Sequence, residues 1–279
     1  MINSLQKRPY LIPKVFIWAV VLWILPAWQT HAQSPRPIDS AALGLALSGG
    51  GAKGIAHIGV LQALEEQGIR PRYLTGTSIG AIVGAYYIAG YTPQQILDIF
   101  RRTDFDALMT DQMPRRFLPL YLKRTGRNSF FHFPVDLHRL QLKLPGGLTH
   151  SQLFYNQLFR DLYNIQYLNS FDSLPVHFRF YATDLVTGKS VAFKGGSVPR
   201  AVVASSALPS IVSPILIDGK ILTDGGVVNN YPLDGLYRMG ARKSIGSDVQ
   251  GQLLRESQIQ SIKDILDQIT SIYMYADMP

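Results

Sequence analysis

The chain has 279 residues, 47% of them hydrophobic and only 16% charged, which fits a globular protein and excludes a disordered one. The formal charge is +8. Setting aside Lys7, Arg8 and Lys14, which lie with no acid in the first 32 residues, leaves +5, an excess that suits anionic lipid surfaces better than dedicated nucleic-acid binding.

Cysteine is absent, so disulfides, thiol nucleophiles, cysteine-ligated metals and lipidation of an N-terminal cysteine are all excluded. Residues 1–32 read as a secretory signal peptide. A basic start is followed by the apolar run Val15 to Trp28, and Thr30-His31-Ala32 ends in a small residue suited to cleavage. The apolar run is short for a membrane span, which needs about 20 residues. The expected location is therefore periplasmic, outer-membrane-associated or secreted. Residues 33–42, with Pro35 and Pro37, read as a linker.

Leu43 to Ser48 is a short apolar run consistent with a buried parallel strand. Next comes the glycine-rich loop Gly49-Gly50-Gly51-Ala52-Lys53-Gly54. Ile55, Ile58, Leu61 and Leu64 then recur at helical spacing until Gly68. Tyr73-Leu74-Thr75 is a second strand, running into Gly76-Thr77-Ser78-Ile79-Gly80, and Ala81 to Ala89 is a buried helix. Strand, loop, helix, strand, turn and helix in this order favour a parallel α/β layout.

Between Gln112 and Lys143 lie seven basic residues against the single acid Asp136, interleaved with Phe117, Tyr121, Phe130, Phe131 and Phe133. Two readings stand open: an ordinary surface insertion, or a lid or lipid-facing surface. Strands are expected again at Val176 to Thr183, Ser190 to Phe193, Ile215 to Ile217 and Lys220 to Leu222, with a helix at Pro199 to Ala207. Asp224-Gly225-Gly226 follows the last of these strands. Residues 259–272 carry apolar side chains at amphipathic-helix spacing.

The chemistry centres on Ser78. A serine between glycines, with a strand before it and a helix after it, has the layout of a nucleophile elbow. The helix start also directs its positive end at developing negative charge. The upstream loop matches Gly-x-Gly-x-x-Gly through Gly49, Gly51 and Gly54, so a nucleotide site must be weighed. Such a site wants an acid at the end of the second strand, and here that strand runs into the elbow. A P-loop fails because Ile55 follows Gly54. The loop is better used as amide donors for an oxyanion, with the Lys53 charge close by. None of the six histidines follows Asp224, which removes a Ser-acid-His triad built on that acid. His57 reads as a packing residue, and no metal-ligand cluster is present. Asp224 is then the candidate to take the Ser78 proton directly.

These three motifs in this order closely resemble those of the patatin-like phospholipases. The resemblance extends to Ala204-Ser205-Ser206-Ala207-Leu208-Pro209 and Asn230-Tyr231-Pro232, and covers about residues 43–240. It implies an α/β, three-layer fold with a mainly parallel central sheet flanked by helices, leaving residues 241–279 as a helical extension. It further implies a cofactor-free Ser78–Asp224 dyad, oxyanion donors around Gly50 and Gly51, and hydrolysis of acyl esters in lipids at a membrane surface. Some bacterial relatives carry an outer-membrane barrel after the hydrolase, and the ending at Pro279 would fit a member shortened before it. Two competing functions are an exported lipid-binding module without turnover and a nucleotide-binding protein.

Overall fold

The computed structural model describes residues 42–109, 111, 120, 135–136, 141–142, 147–251, 253–260, 265, 268 and 271–272. The signal-peptide reading, nearly all of the linker, most of the basic–aromatic stretch and most of the 259–272 helix fall outside these residues.

The central sheet has seven strands. We label them β1 (Leu43–Leu47), β2 (Tyr73–Thr77), β3 (His177–Asp184), β4 (Lys189–Phe193), β5 (Ile215–Ile217), β6 (Lys220–Asp224) and β7 (Lys243–Ser247). Strands β7, β1, β2 and β3 pair in parallel, in that order across the sheet. Every residue of β1 is buried, as its continuous apolar run requires of a strand covered on both faces. Strands β4 and β6 join β3 antiparallel, and β5 pairs antiparallel with β6. Their short connections, Asp184 to Lys189 and Ile217 to Lys220, can join only antiparallel neighbours.

Alternation along the strands separates the two faces. Leu45, Leu47, Leu74, Phe178 and Phe180 enter the main core. That core is closed by helices α1 (Ala56–Glu66), α2 (Ile79–Ile88), α3 (Pro93–Arg102), α4 (Gln152–Asp161) and α5 (Val198–Ser205). On the other face Ala46 packs with Leu236 of α6 (Leu233–Met239). Helices on both sides of the sheet make the three layers expected from the sequence.

Local chemistry explains the individual elements. Pro93 begins α3, and Thr92 caps it in a reciprocal box: Gln95 N–H donates to Thr92 Oγ1 at 3.2 Å, and Thr92 N–H donates to Gln95 Oε1 at 2.8 Å. Nearly all of α2 is buried, and its small residues let it lie directly on the strands. A β-carbon at Gly80 would stand 2.3 Å from the Leu47 carbonyl oxygen, so no larger residue fits without moving backbone. Phe171 stacks on Phe178 with ring centres 4.3 Å apart, an aromatic contact that adds to burial.

The sheet also continues past the domain boundary expected at residue 240, because β7 pairs with β1 from Leu43↔Lys243 to Leu47↔Ser247. Lys-Ser-Ile-Gly-Ser has one strongly apolar residue, too few to signal a strand by pattern. As an edge strand it contributes chiefly backbone hydrogen bonds.

Candidate active site

The site is set by strand register. Phe180 and Tyr181 pair with both β2 and β4, while Ala182, Thr183 and Asp184 pair with both β4 and β6. A strand has only two edges, so β2 and β6 lie end to end along the same edge of β3. Thr77 stands opposite Tyr181 and Asp224 opposite Ala182, which are adjacent rungs. The residue that follows Thr77 therefore meets Asp224.

That residue is Ser78, at the sharp corner between β2 and α2. Its φ of 53° and ψ of −119° lie in a sparsely populated region for a side-chain-bearing residue, and such strain persists only where the surroundings enforce it. Here they do. The Ser78 N–H donates to Ser205 Oγ at 3.0 Å, and Ser205 Oγ–H donates to the Tyr181 carbonyl at 2.6 Å. Gly76 and Gly80 supply the room, since a β-carbon at Gly76 would come within 2.7 Å of the Gly80 carbonyl oxygen.

Ser78 Oγ–H donates to Asp224 Oδ2 at 2.7 Å, while Gly226 N–H donates to Asp224 Oδ1, also at 2.7 Å. Each carboxylate oxygen thus has one fixed donor. Gly225 must be glycine, as a β-carbon there would lie 2.2 Å from the Tyr181 carbonyl oxygen. Asp224 is only 1% exposed. Burial pushes its carboxyl up to about 6, and the two hydrogen bonds oppose that shift only in part. The result is a carboxylate that is ionised at neutral pH yet far more basic than one in water.

The glycine loop closes over this corner. A β-carbon at Gly49 would be 3.3 Å from Ser78 Cβ, and one at Gly54 would be 2.2 Å from Ile79 Cγ1. Both ends of the loop therefore rest on the elbow. Between them, residues 51–55 form one turn of 3-10 helix starting from Gly50, whose first amides have no partner within the helix. None of the described hydrogen bonds outside regular helices and strands takes the Gly50 or Gly51 N–H. Gly51 has φ +57°, the left-handed conformation that glycine adopts freely.

Buried polar groups hold the loop in place. Gly49 N–H donates to the Asn230 carbonyl at 3.0 Å, and Asn230 Nδ2 donates back to the Gly49 carbonyl at 3.3 Å. His57 is fully buried, with Nε2 2.9 Å from the Ser48 carbonyl and Nδ1 2.7 Å from Ser247 Oγ. Nε2 must donate to the carbonyl, so Nδ1 accepts from Ser247. Burial lowers its pKa. With both nitrogens engaged in holding the loop to β7, His57 is a packing residue, as its place on α1 suggests.

All fourteen motif positions (Gly49 to Gly54, Gly76 to Gly80, and Asp224 to Gly226) thus belong to three connected turns meeting at Ser78. The described residues contain no group of three or more His, Asp or Glu side chains placed to hold a metal. Sequence reading gave no role to Ser205, which sets the elbow, or to Tyr181, whose carbonyl anchors it. Only the Ala-Ser-Ser-Ala-Leu-Pro match pointed to that serine. Ser205→Ala should leave the Ser78 amide and the Tyr181 carbonyl without a partner, at a cost of about 1–3 kcal/mol measured by urea unfolding. Ester turnover should fall through kcat, with KM little changed.

Residues 45–237 match the sequence model of the patatin-like phospholipases. The chain belongs to that family. An uncharacterized NTE family protein of Mycobacterium tuberculosis is 30% identical over 216 residues, covering 77% of this chain and 51% of that protein. The patatin-like phospholipase domain-containing protein 6 of Homo sapiens is 31% identical over 219 residues, covering 78% of this chain and 14% of that protein. The chain therefore spans about half of the first of these curated relatives and a smaller part of the second. Among solved structures, VipD from Legionella pneumophila is similar at 17% identity with a TM-score of 0.42, covering 73% of this chain and 48% of that one.

Proposed function

We propose that this protein is a serine lipid acyl hydrolase of the phospholipase A type, with Ser78 as nucleophile and Asp224 as general base. The observation that carries the proposal is the 2.7 Å hydrogen bond from Ser78 Oγ–H to a buried carboxylate oxygen. Ser78 Oγ attacks the ester carbonyl carbon as its proton passes to Asp224 Oδ2. The amides of Gly50 and Gly51 donate to the resulting oxyanion. Collapse of this intermediate breaks the bond to the alcohol, which leaves with the proton held by Asp224. Water then attacks the acyl-serine, giving its proton to Asp224. Release of the fatty acid returns that proton to Ser78. No cofactor is required.

Membership of the family supports a lipid ester as substrate. An exported protein acting at a membrane surface fits the reading of residues 1–32 as a signal peptide and the positive charge of the rest of the chain. The competing reading, a lipid-binding module without turnover, is separated by covalent chemistry. A fluorophosphonate should label one residue, Ser78, and the protein should release fatty acid from phospholipid. A protein that binds lipid vesicles but takes no label and releases no fatty acid would be the binding module instead.

A further inference from the structure

Two reverse turns at one end of the sheet show apolar side chains to water. Strands β3 and β6 run antiparallel, so the turn after β3 (residues 185–188) and the turn before β6 (residues 218–219) emerge at the same end. Leu185 is 49% exposed, Val186 76%, Leu216 62% and Ile221 43%. Single exposed apolar residues are ordinary on a protein surface, but these four adjoin. Leu216 pairs with Ile221. Leu185, one rung past the Leu222↔Asp184 pair, donates its N–H to the Ile221 carbonyl at 2.9 Å. Directly opposite residues share a face, so Leu216, Ile221 and Leu185 form a row across three strands, with Val186 following it. Their alternates Ile215, Ile217 and Leu222 pack into a core with Ala204 of α5, so the row faces the opposite side of the sheet.

Both turns are tightly held. Asp184 fixes the first: its Oδ1 accepts from Val186 N–H and its Oδ2 from the Thr187 hydroxyl, each at 2.9 Å, and its carbonyl accepts from Gly188 N–H at 2.8 Å. The second is the two-residue loop Asp218-Gly219, with φ of 50° and 75°, closed by the Ile217↔Lys220 pair. Positive φ at both central residues matches the twist of a hairpin. The apolar side chains are thus displayed in a fixed array.

Charge and edge chemistry select the occupant. Lys189 and Lys220 stand exposed at the bases of the two turns, and Arg200 is exposed beside Leu216. Asp218 is the one exposed acid on either turn, since Asp184 is turned inward. An apolar array flanked by cations suits a bilayer with anionic headgroups, its apolar side chains entering the acyl boundary and its cations meeting the phosphates. Strand addition by a second copy is opposed by the edge itself. Ile221 directs its carbonyl to Leu185, so Leu216 opposite turns its own carbonyl to the free edge of β5. There Arg200 Nη2 donates to it at 2.9 Å, occupying an acceptor that an added strand would use.

We propose that Leu185, Val186, Leu216 and Ile221 dock the protein on an anionic lipid bilayer. Asp224 stands opposite Ala182, and Leu185 lies three residues further along β3, about 10 Å at the rise of a strand. Side chains of interfacial segments reach about 5–10 Å into the boundary between headgroups and acyl chains, so docking on these turns holds the dyad close to the headgroups. The docking surface stands on these residues alone; its service to turnover rests on the hydrolase reading.

The chain has no cysteine, so a single introduced one reports locally, whatever other part of the chain meets lipid. Val186→Cys, Leu216→Cys and, as control, Tyr163→Cys, a similarly exposed position after α4, each carry an environment-sensitive fluorophore in the full chain. Vesicles of equal parts phosphatidylcholine and phosphatidylglycerol should shift the emission of the first two to the blue, and a nitroxide on the lipid acyl chains should quench them. Tyr163→Cys should respond to neither. Adding Lys189→Gln and Lys220→Gln should raise the lipid concentration needed roughly tenfold. No shift at either turn, equal shifts at all three positions, or an unaltered response without the lysines overturns the proposal. A shift brought on by protein concentration without vesicles overturns it in favour of a second copy. In the unlabelled chain, Val186→Asp with Leu216→Asp should lower fatty-acid release from these vesicles at least about tenfold, with hydrolysis of a monomeric short-chain ester left in place. An unchanged vesicle rate, or an equal fall on the soluble ester, counts against docking in turnover. If the parent hydrolyses neither substrate, the hydrolase reading fails by itself, and the labelled variants still decide the docking surface.

Discussion

Ser78→Ala is expected to lower ester turnover by at least about 10⁴-fold, the scale seen when a nucleophile is removed from a preorganised serine site. The loss should appear in kcat and kcat/KM together, because the missing bond forms only during reaction. Amide donors in the glycine loop would remain, leaving at most a small residual rate. Folding should survive. The Ser78 corner is fixed by its backbone N–H on Ser205 Oγ, which alanine keeps, and the side chain reaches solvent, so water can replace the lost hydroxyl at Asp224. The variant should therefore retain the parent's far-UV circular dichroism and a single cooperative unfolding transition. Its Asp224 carboxyl should titrate still higher, since the Ser78 hydrogen bond opposes the effect of burial. Turnover within tenfold of the parent in a folded Ser78→Ala protein would exclude Ser78 as the nucleophile.

The second large effect separates activity from stability. Asp224→Asn keeps the shape of the site, with Asn Oδ1 placed to accept from Gly226 N–H and Asn Nδ2 placed to donate to Ser78 Oγ. It removes the base, and turnover should fall by about 10⁴-fold, as for the acid of other serine sites. In the parent, kcat/KM should rise with pH through about 6 as Asp224 ionises, then level off.

Stability should move the other way. The folded-state value, about 6, lies above the ordinary 3.8, so the native state binds this proton more tightly than the unfolded chain does. That stabilising contribution is complete below about pH 4 and is lost as pH rises through about 6. At pH 7.5 the buried charge then costs on the order of 3 kcal/mol. Asp224→Asn lifts this cost, and its melting temperature at pH 7.5 should rise by several degrees. The gain should shrink towards zero at pH 4. A variant less stable than the parent at both pH values would mean that Asp224 is not a strained buried charge.

How much of this could be read in the sequence depends on the range of the interaction. The elbow was legible because Gly76, Ser78 and Gly80 are local, and their glycines answer to close backbone approaches a few residues away. Asp224 was reached by elimination, since no histidine follows it. The strands β1, β2, β3 and β6 announced themselves as short apolar runs bounded by turn residues. Two things had no local sign. Ser205 ends a buried helix, where a small polar residue has many uses, and only the fold brings its hydroxyl to the Ser78 amide. His57 is tied to Ser247, which is 190 residues away, a distance over which spacing carries no information. β7, for its part, was hidden because an edge strand can be held by its backbone while its side chains say little.

The end-to-end seating of β2 and β6 on β3 also bears on when the site comes into being. The two hydrogen-bonded side chains are separated by 146 residues, and they face each other only after the later hairpin has docked beside the earlier strand. A chain emerging from synthesis carries its serine long before it carries the aspartate that pairs with it. Each half alone is inert: Ser78 without Asp224 is an ordinary alcohol, and an unburied Asp224 is too weak an acceptor. A one-residue slip of β6 along β3 would turn the carboxylate to the opposite face of the sheet. Completion of the fold is thus what assembles the proposed dyad, and a partly folded chain does not yet hold it.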